Sequence, residues 1–305
     1  MERAIERVVV AGYGVMGRGI AKSFADAGFD TVVWSRRARS LTDLPKGVRA
    51  VDTLPPEIPD LVIETVEEDI ARKREVYEAI EKTYPPSVII GTNTSGLMLE
   101  DLAAGLKVPE RFLGAHYFMP ADVFPMVEVV AGPSTPRAAV ERVAEAMRRT
   151  GKDPIVLWKP IAGFLINRLQ HAILHEAYHL IESGVCTPGD VDRVAKTMLG
   201  PRMCVTGLIE QKDISGLTIH ANAQKAIVPH LAHDRTPNRW VQAMIASGDL
   251  GIRTGRGFYD WSACDTRAVS AQAAARLQQL LDFLQNDLPA PAAGTIPQPR
   301  PEHKG

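Results

Sequence analysis

The sequence predicts an α/β protein in which an N-terminal, doubly wound parallel sheet is followed by an all-α C-terminal domain. Three observations support this prediction. Short apolar runs alternate with helical stretches through the first half of the chain, which is the order of a parallel sheet with crossover helices. A glycine-rich turn joins the first apolar run to the first helix. Beyond about residue 160, apolar residues recur only at helical spacing.

The chain divides into three expected regions. Residues 1–159 form the sheet domain, with a last strand near 155–158, and residues 160–288 form the helical domain. Residues 289–305 are rich in proline and alanine and are expected to be disordered. A chain of 305 residues with 45% hydrophobic and 23% charged residues is long enough for two such domains.

Composition narrows the classes of partner. A net charge of −1 gives no polyanion-binding signature and argues against nucleic acid. No apolar run is long enough to span a bilayer, and the first strand begins too early to leave room for a signal peptide. The cysteines are odd in number and far apart, which favours a reducing compartment. They are Cys186, Cys204 and Cys264. We therefore expect a cytoplasmic protein with a small-molecule substrate.

The first strand, turn and helix form a nucleotide-binding motif. Val8–Val10 is a β-branched run, and a helical stretch begins at Val15. The intervening glycines have GxGxxG spacing, so they allow a tight turn, a close approach of backbone to a pyrophosphate, and close helix packing. The helix N-terminus would hold the pyrophosphate. The expected cofactor contacts here are Gly12, Gly14, Val15, Met16 and Gly17.

The end of the second strand indicates which dinucleotide is bound. Rossmann-like NAD domains place an acidic residue there to hold the ribose hydroxyls. This chain has Ser35, followed by Arg36 and Arg37. A hydroxyl and two guanidiniums can hold a 2′-phosphate that a carboxylate would repel, so NADP(H) is favoured over NAD(H). The alternative is that these arginines, with Arg39, form a solvated loop surface.

Polar residues follow or interrupt the later strands. Asn93 and Ser95 end the strand that begins near Ser87, where open α/β sheets bind ligands. His116 lies in a predicted strand over 112–120, and Glu128 in the next, over 125–131. Because a carboxylate buried alone is costly, Glu128 needs a partner, and His116 is the obvious candidate.

The motifs in order resemble the L-3-hydroxyacyl-CoA dehydrogenase family. They read GxGxMGxGIA, VIExVxE, NTSxL, GxHxFxP, VEVV, GFxxNR and GxxTGxGFYxW, and cover the chain from about Val8 to Trp261. The resemblance implies hydride transfer with a nicotinamide cofactor, interconverting 3-hydroxy and 3-oxo compounds. It also implies a homodimer formed through the helical domain.

The resemblance assigns roles to individual residues. His116 matches the catalytic histidine, and Glu128 matches the glutamate that orients it. Ser95 and Asn167 match the groups that hydrogen-bond the reacting oxygen or the histidine. These four are the expected catalytic residues, and Ser95 and Asn167 are also expected to bind substrate. Further contacts with the cofactor are implied for Glu68, Lys73 and Asn93.

Several departures from the family pattern bear on the substrate. The family's acidic residue is Ser35 here, and Met119 replaces an asparagine near the active site. Only about 25 residues separate Trp34 from Asp60, too few for the helical insertion that helps family members bind coenzyme A.

A segment of the second half, GPRMCVTGLIE, also departs from the acyl-CoA enzymes. It is closer to the branch that includes L-gulonate dehydrogenase and lambda-crystallin. Arg202 in this segment could hold a substrate carboxylate, or it could be a surface residue. A free acid or another non-CoA carbonyl compound is slightly favoured, and a true L-3-hydroxyacyl-CoA dehydrogenase is the alternative.

Two other classes of function remain. His175, Glu176 and His179 form an HExxH pattern typical of zinc peptidases, with His171 one turn earlier. Because this segment aligns with a packing helix of the family, we expect no metal. A nucleotide-binding sensor or crystallin-like protein without turnover is the remaining alternative, against which the four retained catalytic residues argue.

Overall fold

The computed structural model describes residues 3–298, and its contacts divide into two compact units, Met1–His171 and Ala172–Gly305. The boundary near residue 160 inferred from the sequence stays a prediction. The first unit contains the sheet, as predicted. Its elements in chain order are β1 (Arg7–Ala11), α1 (Val15–Asp26), β2 (Asp30–Trp34), β3 (Arg49–Val51), β4 (Leu61–Glu64), α2 (Ile70–Thr83), β5 (Ile89–Thr92), α3 (Leu99–Ala103), β6 (Phe112–Tyr117), β7 (Met126–Ala131), α4 (Arg137–Arg149) and β8 (Asp153–Leu157).

The eight strands form one sheet in the order β3-β2-β1-β4-β5-β6-β7-β8. All neighbours are parallel except β6 and β7, which are antiparallel. Residues of α1 and α4 pack in one apolar cluster with the sheet, and residues of α2 and α3 pack in the other. Helices therefore cover both faces, which explains why the parallel strands are continuous apolar runs.

Close packing of α1 on β1 depends on Gly17. A Cβ there would lie 2.3 Å from the carbonyl oxygen of Gly12, whose own φ of +111° lies in the region that favours glycine. The sequence motif thus has a structural reason at both positions. Gly12 adopts a backbone conformation that other residues rarely adopt, and a side chain at Gly17 would clash with the Gly12 carbonyl.

The segment between β2 and β4 contains a 3-10 turn (Ala38–Ser40) and β3, without a helical hairpin. β3 is only three residues long and was not predicted from the sequence. Two predicted boundaries need correction. β6 ends at Tyr117 rather than at Pro120, and β8 begins at Asp153 rather than at Ile155. The peptide bond between Met119 and Pro120 is cis.

The second unit is helical, as predicted, and α5 (Ile166–Glu182) extends into it from the first unit. The sequence predicts Thr187 as a helix N-cap, and in the structure its side chain accepts a hydrogen bond from the Asp190 N–H and caps the next helix. The sequence predicts one helix over about 213–232, but the structure interrupts it at Gly216, whose φ is +91°. The elements after α5 are α6 (Pro188–Val194), α7 (Gly200–Thr206), α8 (Glu210–Ser215), α9 (Leu217–Ile227), α10 (Arg239–Ala246) and α11 (Thr266–Asp282), with π-helical segments at Ala195–Leu199 and Phe283–Asp287.

The predicted disordered tail falls partly outside the described residues, which end at 298. Residues 289–298 form neither helix nor strand, and disorder of this segment stays a prediction. Within the described part of the chain, every helix is too short or too polar to cross a membrane.

Candidate active site

The glycine turn lines a cleft of about 650 Å³ at the carboxyl ends of β1, β2 and β4. Gly12 and Gly14 line the cleft, and a Cβ atom added at Gly14 would have no other atom within 4 Å. The N-terminus of α1 begins directly after this turn, so its free N–H groups are available to an anion. Val15 is exposed and Met16 half-buried at the start of the helix. This arrangement fits the pyrophosphate and adenosine of a dinucleotide.

Ser35, Arg36 and Arg37 line the same cleft at the end of β2. The Ser35 hydroxyl accepts the Arg37 N–H at 3.2 Å, and the Arg37 guanidinium donates to the Tyr13 carbonyl at 3.4 Å. Arg39 instead pairs with Asp52 at 2.7 Å. The arginine cluster therefore has two members at the cleft and one engaged elsewhere.

His116 and Glu128 lie directly opposite each other on the antiparallel strands β6 and β7. His116 Nδ1 is 2.8 Å from Glu128 Oε2. Both side chains are buried, with His116 4% exposed, and the imidazole contacts Phe118 and Phe164 at centroid distances of 4.6 and 5.4 Å. The structure thus places the predicted pair in contact and packs two aromatic side chains against the ring.

The second oxygen of Glu128 lies at the N-terminus of α5. Oε1 accepts the N–H groups of Leu165 and Ile166 at 2.8 and 3.0 Å. Burial opposes ionisation of this carboxyl, but the bond from His116 and the two backbone bonds outweigh it and lower the pKa of Glu128. An ionised Glu128 accepts the Nδ1 proton, which leaves Nε2 as the ring atom able to give or take a proton.

Ser95 lies in an exposed turn after β5, and Asn167 lies in the first turn of α5. The Asn167 side-chain amide donates to the Ser95 carbonyl at 3.4 Å. Asn93 Oδ1 accepts the Tyr117 N–H at 2.8 Å, so this predicted cofactor contact also ties the end of β5 to the end of β6. The structure therefore links Asn167 to Ser95 and, through the adjacent Leu165 and Ile166, to Glu128.

Lys73 is buried, 1% exposed, and its ammonium lies 2.9 and 3.0 Å from the two oxygens of Glu64. It also lies 3.3 Å from Glu68 Oε2. Glu64 accepts further bonds from Tyr77 and Thr92, at 2.8 and 2.7 Å. The Lys73 charge is thus paired within the protein, and its predicted contact with a cofactor stays a prediction.

Sequence reasoning missed Glu64 as the partner of Lys73. Its signal was available, because a glutamate ends the apolar run LVIE, whose composition predicts a strand. By the argument used for Glu128, such a carboxylate requires a partner. The lysine nine residues later, on the following helix, supplies it.

Arg202 lies in α7 of the second unit and is exposed, and its role in binding substrate stays a prediction. In the HExxH segment, His175 Nε2 lies 3.3 Å from Asp234 Oδ2, and Glu176 accepts the Ala232 N–H at 2.8 Å. Over residues 3–298, His, Cys, Asp and Glu side chains form no group of three that could hold a metal ion.

Two family models match the chain. The model of the NAD-binding domain of 3-hydroxyacyl-CoA dehydrogenase matches residues 7–55 and 56–161, and that of the C-terminal domain matches residues 163–261. Together they match residues in both units and include all four expected catalytic residues.

Individual relatives differ in their named substrates. A 5-formyl-3-hydroxy-2-methylpyridine 4-carboxylate 5-dehydrogenase from Mesorhizobium japonicum is 29% identical over 92% of this chain and 99% of its own. A solved structure of an enzyme with that activity, named as an NAD⁺-dependent dismutase, superposes with a TM-score of 0.85 at 29% identity, covering 92% of this chain and 99% of that one.

A 3-hydroxybutyryl-CoA dehydrogenase from Mycobacterium tuberculosis is 31% identical over 86% of this chain and all of its own. A bovine lambda-crystallin homolog is 34% identical over 71% of this chain and 74% of its own. With matches to both family models, this chain belongs to the 3-hydroxyacyl-CoA dehydrogenase family of nicotinamide-dependent oxidoreductases acting on CH–OH groups.

Proposed function

We propose that this protein interconverts a 3-hydroxy and a 3-oxo acid, or another carbonyl compound without coenzyme A, using His116 and Glu128 as a general acid/base pair. The observation that carries the proposal is the contact of His116 Nδ1 with a Glu128 carboxylate whose other oxygen is held by two backbone N–H groups. A nicotinamide bound in the cleft supplies the hydride acceptor or donor.

In the oxidative direction, His116 Nε2 takes the proton from the substrate hydroxyl as hydride leaves the carbon that bears this hydroxyl. Glu128 stabilises the imidazolium that forms and holds the ring in one orientation. Ser95 and Asn167 donate hydrogen bonds to the substrate oxygen, and these bonds favour the negative character that develops there in the reductive direction.

Two observations support a substrate without coenzyme A. The segment between β2 and β4 holds only a 3-10 turn and a three-residue strand. A relative that is aligned with this chain over 99% of its own length is named for a pyridine carboxylate rather than for a thioester. Arg202 is our candidate for binding a substrate carboxylate. The names of other relatives support the alternative, a true 3-hydroxyacyl-CoA dehydrogenase.

We also propose a preference for NADP(H), supported by Ser35 and two arginines that line the cleft, although one similar solved structure is named as NAD⁺-dependent.

We propose homodimerisation through the helical unit as well, supported by apolar side chains that are exposed there. Examples are Ile209, Ile214 and Ile219, whose exposed fractions are 75%, 68% and 69%. Free Cys186, Cys204 and Cys264 support a cytoplasmic location.

The substrate class is tested by steady-state reduction of acetoacetyl-CoA and of free 3-oxo acids, each with NADPH and NADH. We expect higher kcat/KM for the free acids, because no insertion is present to bind coenzyme A. Efficient turnover of the thioester alone would establish the alternative. Absence of turnover with any of these substrates, together with tight NADPH binding, would instead support a sensor.

Replacing His116 with Gln should lower kcat by about 10²- to 10⁴-fold, because proton transfer loses its acid/base. The dissociation constant of the cofactor, measured by fluorescence titration, should hardly change. His230→Gln, at an exposed histidine of the second unit, is the matched control and should keep wild-type activity. A His116→Gln enzyme with normal kcat would rule out the proposed mechanism.

Replacing Glu128 with Gln should lower kcat by about 10- to 100-fold through a misoriented imidazole. The fold should depend on this carboxylate as well. Because its pKa is lowered in the folded protein, its stabilising contribution is complete above the ordinary value of 4.5 and is lost as the pH falls through the lower folded value.

The melting temperature of Glu128→Gln should therefore lie below that of the wild type at pH 7, and the gap should narrow below pH 4.5. Glu141→Gln, at an exposed glutamate that pairs with Arg137 on α4, should follow the wild type throughout. A gap that stays constant with pH would contradict an ionised Glu128 in the folded protein.

Replacing Arg36 and Arg37 together with Ala should raise the dissociation constant of NADPH by about tenfold or more, through loss of charge-assisted bonds to the 2′-phosphate. The value for NADH should change little. Arg39→Ala, which removes an arginine paired with Asp52, is the control. Equal weakening of both cofactors would show that the 2′-phosphate is not recognised here.

A further inference from the structure

We infer that Glu68 is a positioning residue, which fixes the turn that carries Ser95 and acts on the reaction through that turn. The inference rests on the proposed function, in which Ser95 holds the substrate oxygen. It gives Glu68 a role different from the contact with the cofactor that the family resemblance implies.

One carboxylate oxygen of Glu68 organises the whole turn after β5. Oε1 accepts the Ser95 and Gly96 N–H groups, each at 3.0 Å, and the hydroxyl of Thr94. The Thr94 hydroxyl in turn accepts the Leu97 N–H at 3.1 Å. Three consecutive residues, Thr94 to Gly96, donate to this one oxygen atom, and the next residue is tied to it through Thr94. Glu68 lies 26 to 28 residues before these three donors in the sequence.

The other oxygen of Glu68 faces Lys73, whose ammonium also lies between the two oxygens of Glu64. Burial opposes ionisation of Glu68, but the bonds from Thr94, Gly96 and Ser95 and the charge of Lys73 lower its pKa. The Glu68 carboxylate is thus bound by Lys73 at one oxygen and by the turn at the other. Because its position is fixed in this way, it restrains the backbone N–H groups that donate to it.

Ser95 is held from its carbonyl side as well. The Asn167 amide donates to this carbonyl, and Asn167 directly follows Leu165 and Ile166, whose N–H groups donate to Glu128. The N–H of Ser95 is therefore bound to Glu68 while its carbonyl is bound to the helix that orients the His116 pair. Loss of the Glu68 contacts would leave only the carbonyl contact, and the hydroxyl of Ser95 could then move relative to the imidazole.

The two roles for Glu68 predict different kinetics. A cofactor contact predicts weaker binding of NADH and NADPH in the absence of substrate. A positioning role predicts nearly unchanged cofactor binding and a lower kcat/KM, since a misplacement of about 1 Å in a reacting group can cost about 100-fold. The conservative variant also separates the roles, because a glutamine oxygen can still accept the bonds of the turn.

The experiment compares Glu68→Ala and Glu68→Gln with the wild type, using the better substrate of acetoacetate and acetoacetyl-CoA. We expect Glu68→Ala to lower kcat/KM by about 10- to 100-fold with a change in cofactor dissociation constant below about threefold. Glu68→Gln should recover much of the loss. Glu78→Gln, at an exposed glutamate of α2 paired with Lys82, is the control.

The Ser95→Ala background shows whether Glu68 acts through Ser95. Once the hydroxyl is absent, adding Glu68→Ala should cost little more, so the two losses should be far from additive. Additive losses, or weaker cofactor binding that accounts for the whole effect, would overturn the inference. If Ser95→Ala and His116→Gln are themselves as active as the wild type, the proposed function has failed instead.

Hydrogen exchange followed by mass spectrometry tests the contact without any substrate. The amides of residues 95–97 should exchange faster in Glu68→Ala than in the wild type, and those of β5 should be unchanged. Unchanged exchange in the turn would overturn the inference even if no substrate were turned over. Circular dichroism and the melting temperature establish that the variant is folded, which the retained Glu64–Lys73 pair leads us to expect.

Discussion

The site depends on one buried charge, the carboxylate of Glu128. A carboxylate without partners in this position would be neutral or would destabilise the fold. Here one oxygen contacts the His116 imidazole, and the other accepts two N–H groups at the start of α5. The same group therefore fixes β7 against both β6 and α5. The placement of the helix start, the orientation of the histidine and the charge beside its ring all follow from it.

A second buried charge organises the neighbouring strands in the same manner. Lys73 on α2 is paired with Glu64 at the end of β4, and Glu64 also accepts the hydroxyl of Thr92 at the end of β5. The carboxyl ends of these strands are thus joined by ionic and hydrogen-bonded contacts at the edge of the sheet where open α/β folds bind ligands. A rigid edge of this kind reduces the freedom of the polar turn that follows β5.

Local physical rules made the fold and part of the site predictable from the sequence. The GxGxxG turn has a steric reason visible at Gly17, and Thr187 caps a helix as its side chain favours. The His116–Glu128 contact followed from the cost of a buried carboxylate. By contrast, the Glu68 contacts join residues 26 to 28 apart and depend on how β4 and β5 align. The break at Gly216 was missed because helical periodicity continues on both sides of it.

The antiparallel pairing of β6 and β7 explains why the contact between His116 and Glu128 could be expected only once both strands were recognised. His116 and Glu128 are 12 residues apart, and the register sets them directly opposite. Side chains of a strand alternate between the two faces, so a slip by one residue would move Glu128 to the opposite face from His116. The same slip would remove the carboxylate from the N–H groups of Leu165 and Ile166 and leave both without their partner. Register, helix docking and the chemistry of the pair are therefore a single constraint, because the buried charge is satisfied in one alignment only.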